Sequence, residues 1–115
     1  MQVLGIRYCE VTSDMSALAA FFAALGMPKN DYAQDGFEGA IFPAGASWIE
    51  LWKPGPQMPT SVMLQVIVDD ADAFAAHARG NGLEPQGPTD AHGERIYMLT
   101  APNGMQVSFQ SALAG

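Results

Sequence analysis

The chain is 115 residues long, 49% apolar and 15% charged, with a formal net charge of −7. That length and apolar fraction suit a single domain with its own core and exclude an intrinsically disordered chain. Five Lys and Arg against twelve Asp and Glu argue against a nucleic-acid partner, because phosphate binding needs clustered cations.

Taken in order, the first predicted strand covers residues 3–13, with Val3, Leu4, Ile6, Tyr8 and Val11 in the run. Cys9, the only cysteine, lies within it. A lone cysteine closes no internal disulfide and points to a reducing cytoplasm. With no histidine near it in sequence, it reads as a buried, inert thiol. Ser13 or Asp14 can cap a helix running to Leu25, whose Leu18, Phe21, Phe22 and Leu25 recur at helical spacing. Gly26 and Pro28 stop that helix. Residues 29–36 are polar and loop-like. Strands are predicted over Phe37–Pro43 and Ser47–Trp52. Lys53–Thr60, with three prolines and a glycine, is a semi-stiff linker. A strand follows at Val62–Val68, then Asp69 or Asp70 as N-cap of a helix over Ala71–Arg79, ended by Gly80 and Gly82. Pro85–Gly93 reads as a long loop. Arg95–Thr100 and Met105–Gln110 form a hairpin around Pro102, Asn103 and Gly104. Nothing approaches the ~20 apolar residues that span a membrane, and the N-terminus lacks the basic start and apolar run of a signal peptide.

The chain thus states one pattern twice, and duplicated halves usually face each other across a shared cleft. Six carboxylates fall in residues 1–53 and six in residues 61–115. This even spread serves solubility or the attraction of a cationic ligand. Period-two alternation sorts the strand faces. Ile49 and Leu51 alternate with Trp48, Glu50 and Trp52. Val107 and Phe109 alternate with Gln106, Ser108 and Gln110, and Leu64, Val66 and Val68 with Met63, Gln65 and Ile67. The aliphatic sets should pack on the helices and the mixed sets should face the cleft.

The layout resembles the vicinal oxygen chelate superfamily, which includes glyoxalase I, extradiol dioxygenases and bleomycin-resistance proteins. The residues that carry the resemblance run from Val11–Thr12–Ser13–Asp14 through Phe21–Phe22 to Leu25–Gly26. They continue with Ile49–Glu50–Leu51, Val68–Asp69–Asp70–Ala71, Gly93–Glu94–Arg95 and Pro102–Asn103–Gly104. The resemblance implies an α+β fold in which two βαβββ modules form a cupped mixed β-sheet with helices on the outside. It implies one glyoxalase-like domain over 1–115, with module one at 1–53, a linker at 54–60 and module two at 61–115. Paired modules and exposed strand edges further suggest a homodimer.

Enzymes of that superfamily hold a divalent ion with His, Gln or Glu from the first and last strand of each module. Carried onto this chain, the pattern places Glu50 at a matching position, but Arg7, Met63 and Ser108 where the other donors stand. A register slip in the first strand offers Ile6 or Tyr8 instead. A thioether, a hydroxyl and a guanidinium do not hold a hard or borderline cation beside one carboxylate, so no metal and no cofactor is expected. What the sequence offers in place of a metal centre is a ligand surface. Glu50 flanked by Trp48 and Trp52 suits an aromatic or cationic compound, or pairs with Arg7 or Arg95 as plain packing; a general-base role is the sharper possibility. Met63, Gln65, Gln106 and Ser108 add apolar and hydrogen-bonding groups, with Met98 as adaptable surface. Tyr8 and Glu10 join this wall in one strand register, Arg7 and Cys9 in the other. His92, in the loop near the cleft rim, is a ligand or acid–base candidate, whereas His77 lies on the second helix, away from the cleft. The expected function is metal-independent small-molecule binding, with a lyase, isomerase or dioxygenase using a non-standard or metal-free site as the alternative.

Overall fold

A computed structural model describes residues 1–113. Eight strands and two helices follow one another as β1 (Val3–Val11), α1 (Met15–Ala24), β2 (Asn30–Gln34), β3 (Phe37–Ala44), β4 (Ser47–Trp52), β5 (Ser61–Val68), α2 (Ala71–Gly80), β6 (Gln86–Ala91), β7 (Glu94–Thr100) and β8 (Gln106–Ala112). The fold is α+β with a mixed eight-stranded sheet, and each helix is preceded by one strand and followed by three, the βαβββ order. No described helix is long and apolar enough to cross a membrane. The chain divides into two compact units, one spanning Arg7–Val62 and the other joining residues 1–6 to the chain from Met63 onward. β1 therefore contributes to both.

In the first unit the strands run β2-β3-β4-β1. β2, β3 and β4 are antiparallel neighbours, and β4 lies parallel to β1. α1 buries Met15 and Ala19 against Ala40, Phe42 and Leu51, with Leu18, Phe22, Met27 and Ile49 around them. The stripe expected on this helix is only half right, since Phe21 and Leu25 are 57% and 64% exposed. Met15, Ala19 and Phe22 lie nearly above one another at 3.6 residues per turn. Phe21 falls off that face, and Leu25 is already the C-cap.

The second unit runs β1-β5-β8-β7-β6, with β5 parallel to β8 and the outer strands antiparallel. α2 buries Ala71 and Ala75 against Val68, Tyr97 and Phe109, and the last two rings stack at 5.2 Å. Asp70 caps this helix, its side chain accepting from the Ala73 N–H at 3.1 Å. The buried Ser111 hydroxyl accepts from the Ala71 N–H. Asp14, at the start of α1, makes no such bond. Asp69 accepts the Gln2 N–H at 2.9 Å, which holds its carboxyl below the usual range and ties down the start of β1.

Two segments expected to be loops are strands. β2 falls inside residues 29–36 and β6 inside residues 85–93, and each forms a hairpin with the strand that follows. Their turns are built alike. Asp35 and Gly36 both take positive φ (55° and 81°), as do His92 and Gly93 (53° and 75°). Two residues in the left-handed region make the turn whose twist matches that of a hairpin.

Candidate functional site

Cross-strand register decides which side chains share a face. Along β1 and β4, Arg7 stands opposite Trp48, Cys9 opposite Glu50 and Val11 opposite Trp52. The contacts agree. The Arg7 guanidinium carbon lies 3.9 Å from the Trp48 ring centroid, and the Cys9 thiol donates to the Glu50 carboxylate at 3.0 Å. Ile49 and Leu51 turn the other way, onto α1, as their alternation implied. Tyr8 alternates with Arg7 and Cys9 and so stands on the face opposite Glu50, donating to Glu10 at 2.7 Å. That bond, then burial, pushes the Tyr8 hydroxyl up to about 12. The structure thus selects the strand register that removes Tyr8 from the Glu50 wall and adds Arg7 and Cys9.

The electrostatics of this face follow from the neighbours. Burial pushes the Cys9 thiol well above its ordinary range, and donation to Glu50 adds to the effect. The sulfur stays protonated and acts as a donor rather than a nucleophile. Arg7 lies against Trp48 in the geometry of a cation–π contact. Trp48 Nε1 is buried and finds no hydrogen-bond partner among the described residues. Trp52 lies on the backbone of Gly39, its opposite number on β3, where a Cβ would run into the indole and the Leu51 carbonyl. Tyr32, across from Gly39 on β2, meets the Trp52 ring edge-on at 5.3 Å. A glycine between two rings is how a sheet seats a large aromatic flat on its surface.

The second unit repeats the register with other chemistry. Met63 stands opposite Gln106, and Gln65 opposite Ser108. Ser108 and Gln110 are 1% and 2% exposed. The Ser108 hydroxyl donates to Gln110 Oε1 at 2.7 Å, and Gln110 Nε2 donates to Glu94 at 2.9 Å. Ser108 thereby spends its donor inside the protein. Gln65 Nε2 lies 3.8 Å from the Met63 sulfur, while Gln106 is exposed. His92 is exposed on the β6–β7 turn, with φ +53°. His77 is exposed on α2. Arg95 is bound to Asp90 and Asp72 rather than to Glu50.

The residues at the expected donor positions do not fit a metal. Glu50 has a protonated thiol beside it, its counterpart in register is a buried Ser108 hydroxyl, and Arg7 and Met63 fill the other two places. Among the described residues no group of three or more His, Cys, Asp or Glu is placed to hold an ion.

No protein-family model and no curated protein matches the sequence. Solved structures do match in shape. The NAD-dependent benzaldehyde dehydrogenase from Legionella pneumophila superposes with a TM-score of 0.65 at 13% identity, covering 94% of this chain and 99% of that one. Methylmalonyl-CoA epimerase from Mycobacterium tuberculosis gives 0.60 at 18% identity over 97% and 88% of the two chains. A single-residue variant of the Streptomyces coelicolor epimerase, in complex with 2-nitronate-propionyl-CoA, gives 0.64 at 18% over 99% and 96%. The chain has the vicinal oxygen chelate fold. At these identities the likeness is one of fold. Within it, sequence reading found the Trp48–Glu50–Trp52 face but left open whether Cys9 belonged there. The signal that settles the point is the pairing of β1 with β4, which one strand read alone does not contain.

Proposed function

We propose that the chain is a small-molecule-binding protein that works without a bound metal, as a homodimer in the cytoplasm, and takes an aromatic or cationic compound on the face carrying Trp48, Glu50 and Trp52. One observation carries the reading. Trp48 has a guanidinium against its ring, a buried N–H without an acceptor, and the Glu50 carboxylate two residues along the same face. An indole ring with a carboxylate on the same face suits a flat or cationic ligand through ring and charge contact. Glu50, held in one orientation by Cys9, then receives the ligand's cationic or N–H group. Pairing of two copies is supported by β2, an edge strand exposed along its length.

A metal-free isomerase is the second reading, supported by the likeness to epimerase structures. Coenzyme A esters are poorly served, because their phosphates need clustered cations. Lys29, Lys53 and Arg95 are each in an ion pair, Arg79 donates to the Pro85 carbonyl, and Arg7 is stacked on Trp48.

Titration of tryptophan emission with a panel of cationic antibiotics and aromatic amines tests the binding reading. The expected result is a saturable change for at least one compound, with affinity about tenfold lower in Glu50→Gln, the loss typical of one charge-assisted hydrogen bond. No response from the whole panel, or equal affinity in Glu50→Gln, overturns it. Deuterium uptake from D2O at the carbon next to a thioester carbonyl would favour the isomerase instead.

A further inference from the structure

The second unit holds a cavity of about 440 Å³ where the end of β7 meets the start of β6 and the loop after α2. Its volume falls in the range of small-molecule sites, roughly 300–1,000 Å³. Two large apolar side chains line it while remaining open to solvent, Leu83 at 52% and Met98 at 40% exposure. Around them stand Glu84, Gln86, Thr100 and Gln106.

The hydrogen bonds of these groups define what is left to offer. Gln86 Nε2 donates to the Glu84 backbone carbonyl at 3.1 Å, and Gln106 Nε2 donates to Thr100 Oγ1 at 3.3 Å. Each amide nitrogen spends one of its two N–H groups in this way, and each amide oxygen can accept. Glu84 adds an anionic carboxylate. Glu84 is the one charged side chain in the lining, with no Lys, Arg or His beside it, so the local charge disfavours an anionic ligand. Acceptors and one negative charge beside an apolar surface complement an ammonium or N–H donor on an apolar body.

We propose that this cavity is a binding site for a small amine with an apolar body. The ammonium group takes the Gln86 and Gln106 amide oxygens and the Glu84 carboxylate. The body lies on Leu83 and Met98. Gln106 and Met98 are ligand-surface candidates in the sequence, but the site uses none of Trp48, Glu50 and Trp52, and the inference does not rest on the reading of that face.

Methyl-labelled methionine in the full chain provides the test, since the Met98 methyl group reports on the cavity wall and is assigned by its disappearance in Met98→Leu. Phenethylamine is the probe, and phenylacetate is the control of similar body and opposite charge. The expected result is a saturable shift of the Met98 signal with low-millimolar phenethylamine and none with phenylacetate. Glu84→Gln should weaken the binding about three- to fivefold, as for a partly exposed charge pair. Glu84 and Gln106 are exposed, so Glu84→Gln and Gln106→Ala should leave the fold intact, and Gln106→Ala should weaken binding as well. A Met98 signal unmoved by phenethylamine, or moved equally by phenylacetate, overturns the proposal. Unchanged affinity in both variants overturns it too. Because the signal comes from Met98, failure here leaves the tryptophan titration of the first unit untouched, and the reverse holds.

Discussion

Across β1 and β4 the first module sets Arg7 against Trp48 and Cys9 against Glu50, while β5 and β8 set Met63 against Gln106 and Gln65 against Ser108 at the same steps. The backbone register is repeated and the chemistry is not. One pair of strands carries charges, a thiol and two indoles. The other carries neutral amides, a hydroxyl and a thioether. The cores differ in the same way. Ala40 and Leu51 in the first unit correspond by register to Tyr97 and Phe109 in the second, so a small aliphatic contact is replaced by a stacked aromatic pair. The architecture therefore depends on periodicity and burial, which both modules satisfy with different residues. The ligand chemistry depends on identity at a few face positions, and there the halves have diverged.

The largest effect that would sharpen this contrast lies in the cores. Phe42 is 0% exposed, and its register counterpart Leu99 is only partly buried. Phe42→Ala should cost about 3–5 kcal/mol and Leu99→Ala clearly less, because the cost grows with the cavity left behind. Urea denaturation of the two variants measures the difference. Equal losses would break the contrast between the two cores.

Helix capping offers a second contrast. Asp70 accepts from the Ala73 N–H, whereas Asp14 caps nothing and its own N–H donates to Thr12. Asp70→Ala should cost about 1 kcal/mol and Asp14→Ala less than about 0.5 kcal/mol, the usual range for a surface change. A comparable loss in both would show that Asp14 caps α1 in solution. Sequence alone offered both aspartates as caps. It did so because residue type and position are visible in one dimension, while the φ and ψ that aim the side chain are not.

The same limit explains what else was and was not legible. The helices and the six better-covered strands announced themselves through period and punctuation. β2 and β6 did not, since Asn30, Asp31, Gln86, Gly87 and Pro88 are poor strand formers held in place by pairing with β3 and β7. Strand faces were readable wherever polar and apolar residues alternate, as from Ser47 to Trp52. They were ambiguous in β1, where Arg7, Tyr8, Cys9 and Glu10 put polar groups on both faces. The buried Ser108–Gln110–Glu94 chain left no trace in sequence, because a hydrogen-bond network across strands has no linear spacing.

A pH contrast comes next in size. Asp72 accepts from the Tyr97 hydroxyl at 2.6 Å and from Arg95 at 3.0 Å, and these bonds, Tyr97 first, hold its carboxyl below the usual range. Ser16 occupies the same second position of α1 and has no charge to contribute. A depressed carboxyl stabilises the fold above the unfolded-state value, about 3.9 for Asp, and that stability is lost as pH falls through the folded-state value. The gap in stability between the native chain and Asp72→Asn should therefore be full near neutrality and should close below about pH 4. A gap that persists in acid would assign the effect to hydrogen-bond geometry instead of charge.

The smallest expected change also bears on function. Asp35–Gly36 and His92–Gly93 make equivalent turns, and only the first has a residue pair commonly selected for that geometry. His92 adopts φ +53°, a region that Asn tolerates well and that costs most side chains roughly 1–2 kcal/mol. His92→Asn should raise stability by about 0.5 kcal/mol, and Asp35→Asn should leave it nearly unchanged, both read as shifts in the urea midpoint. If histidine is retained at this turn for a ligand, the stabilised variant should lose affinity in the tryptophan titration. If the turn is purely structural, stability should rise while every titration stays superimposable on the native one. Because the left-handed backbone gives histidine no advantage over asparagine at this turn, the titration is what separates the two outcomes.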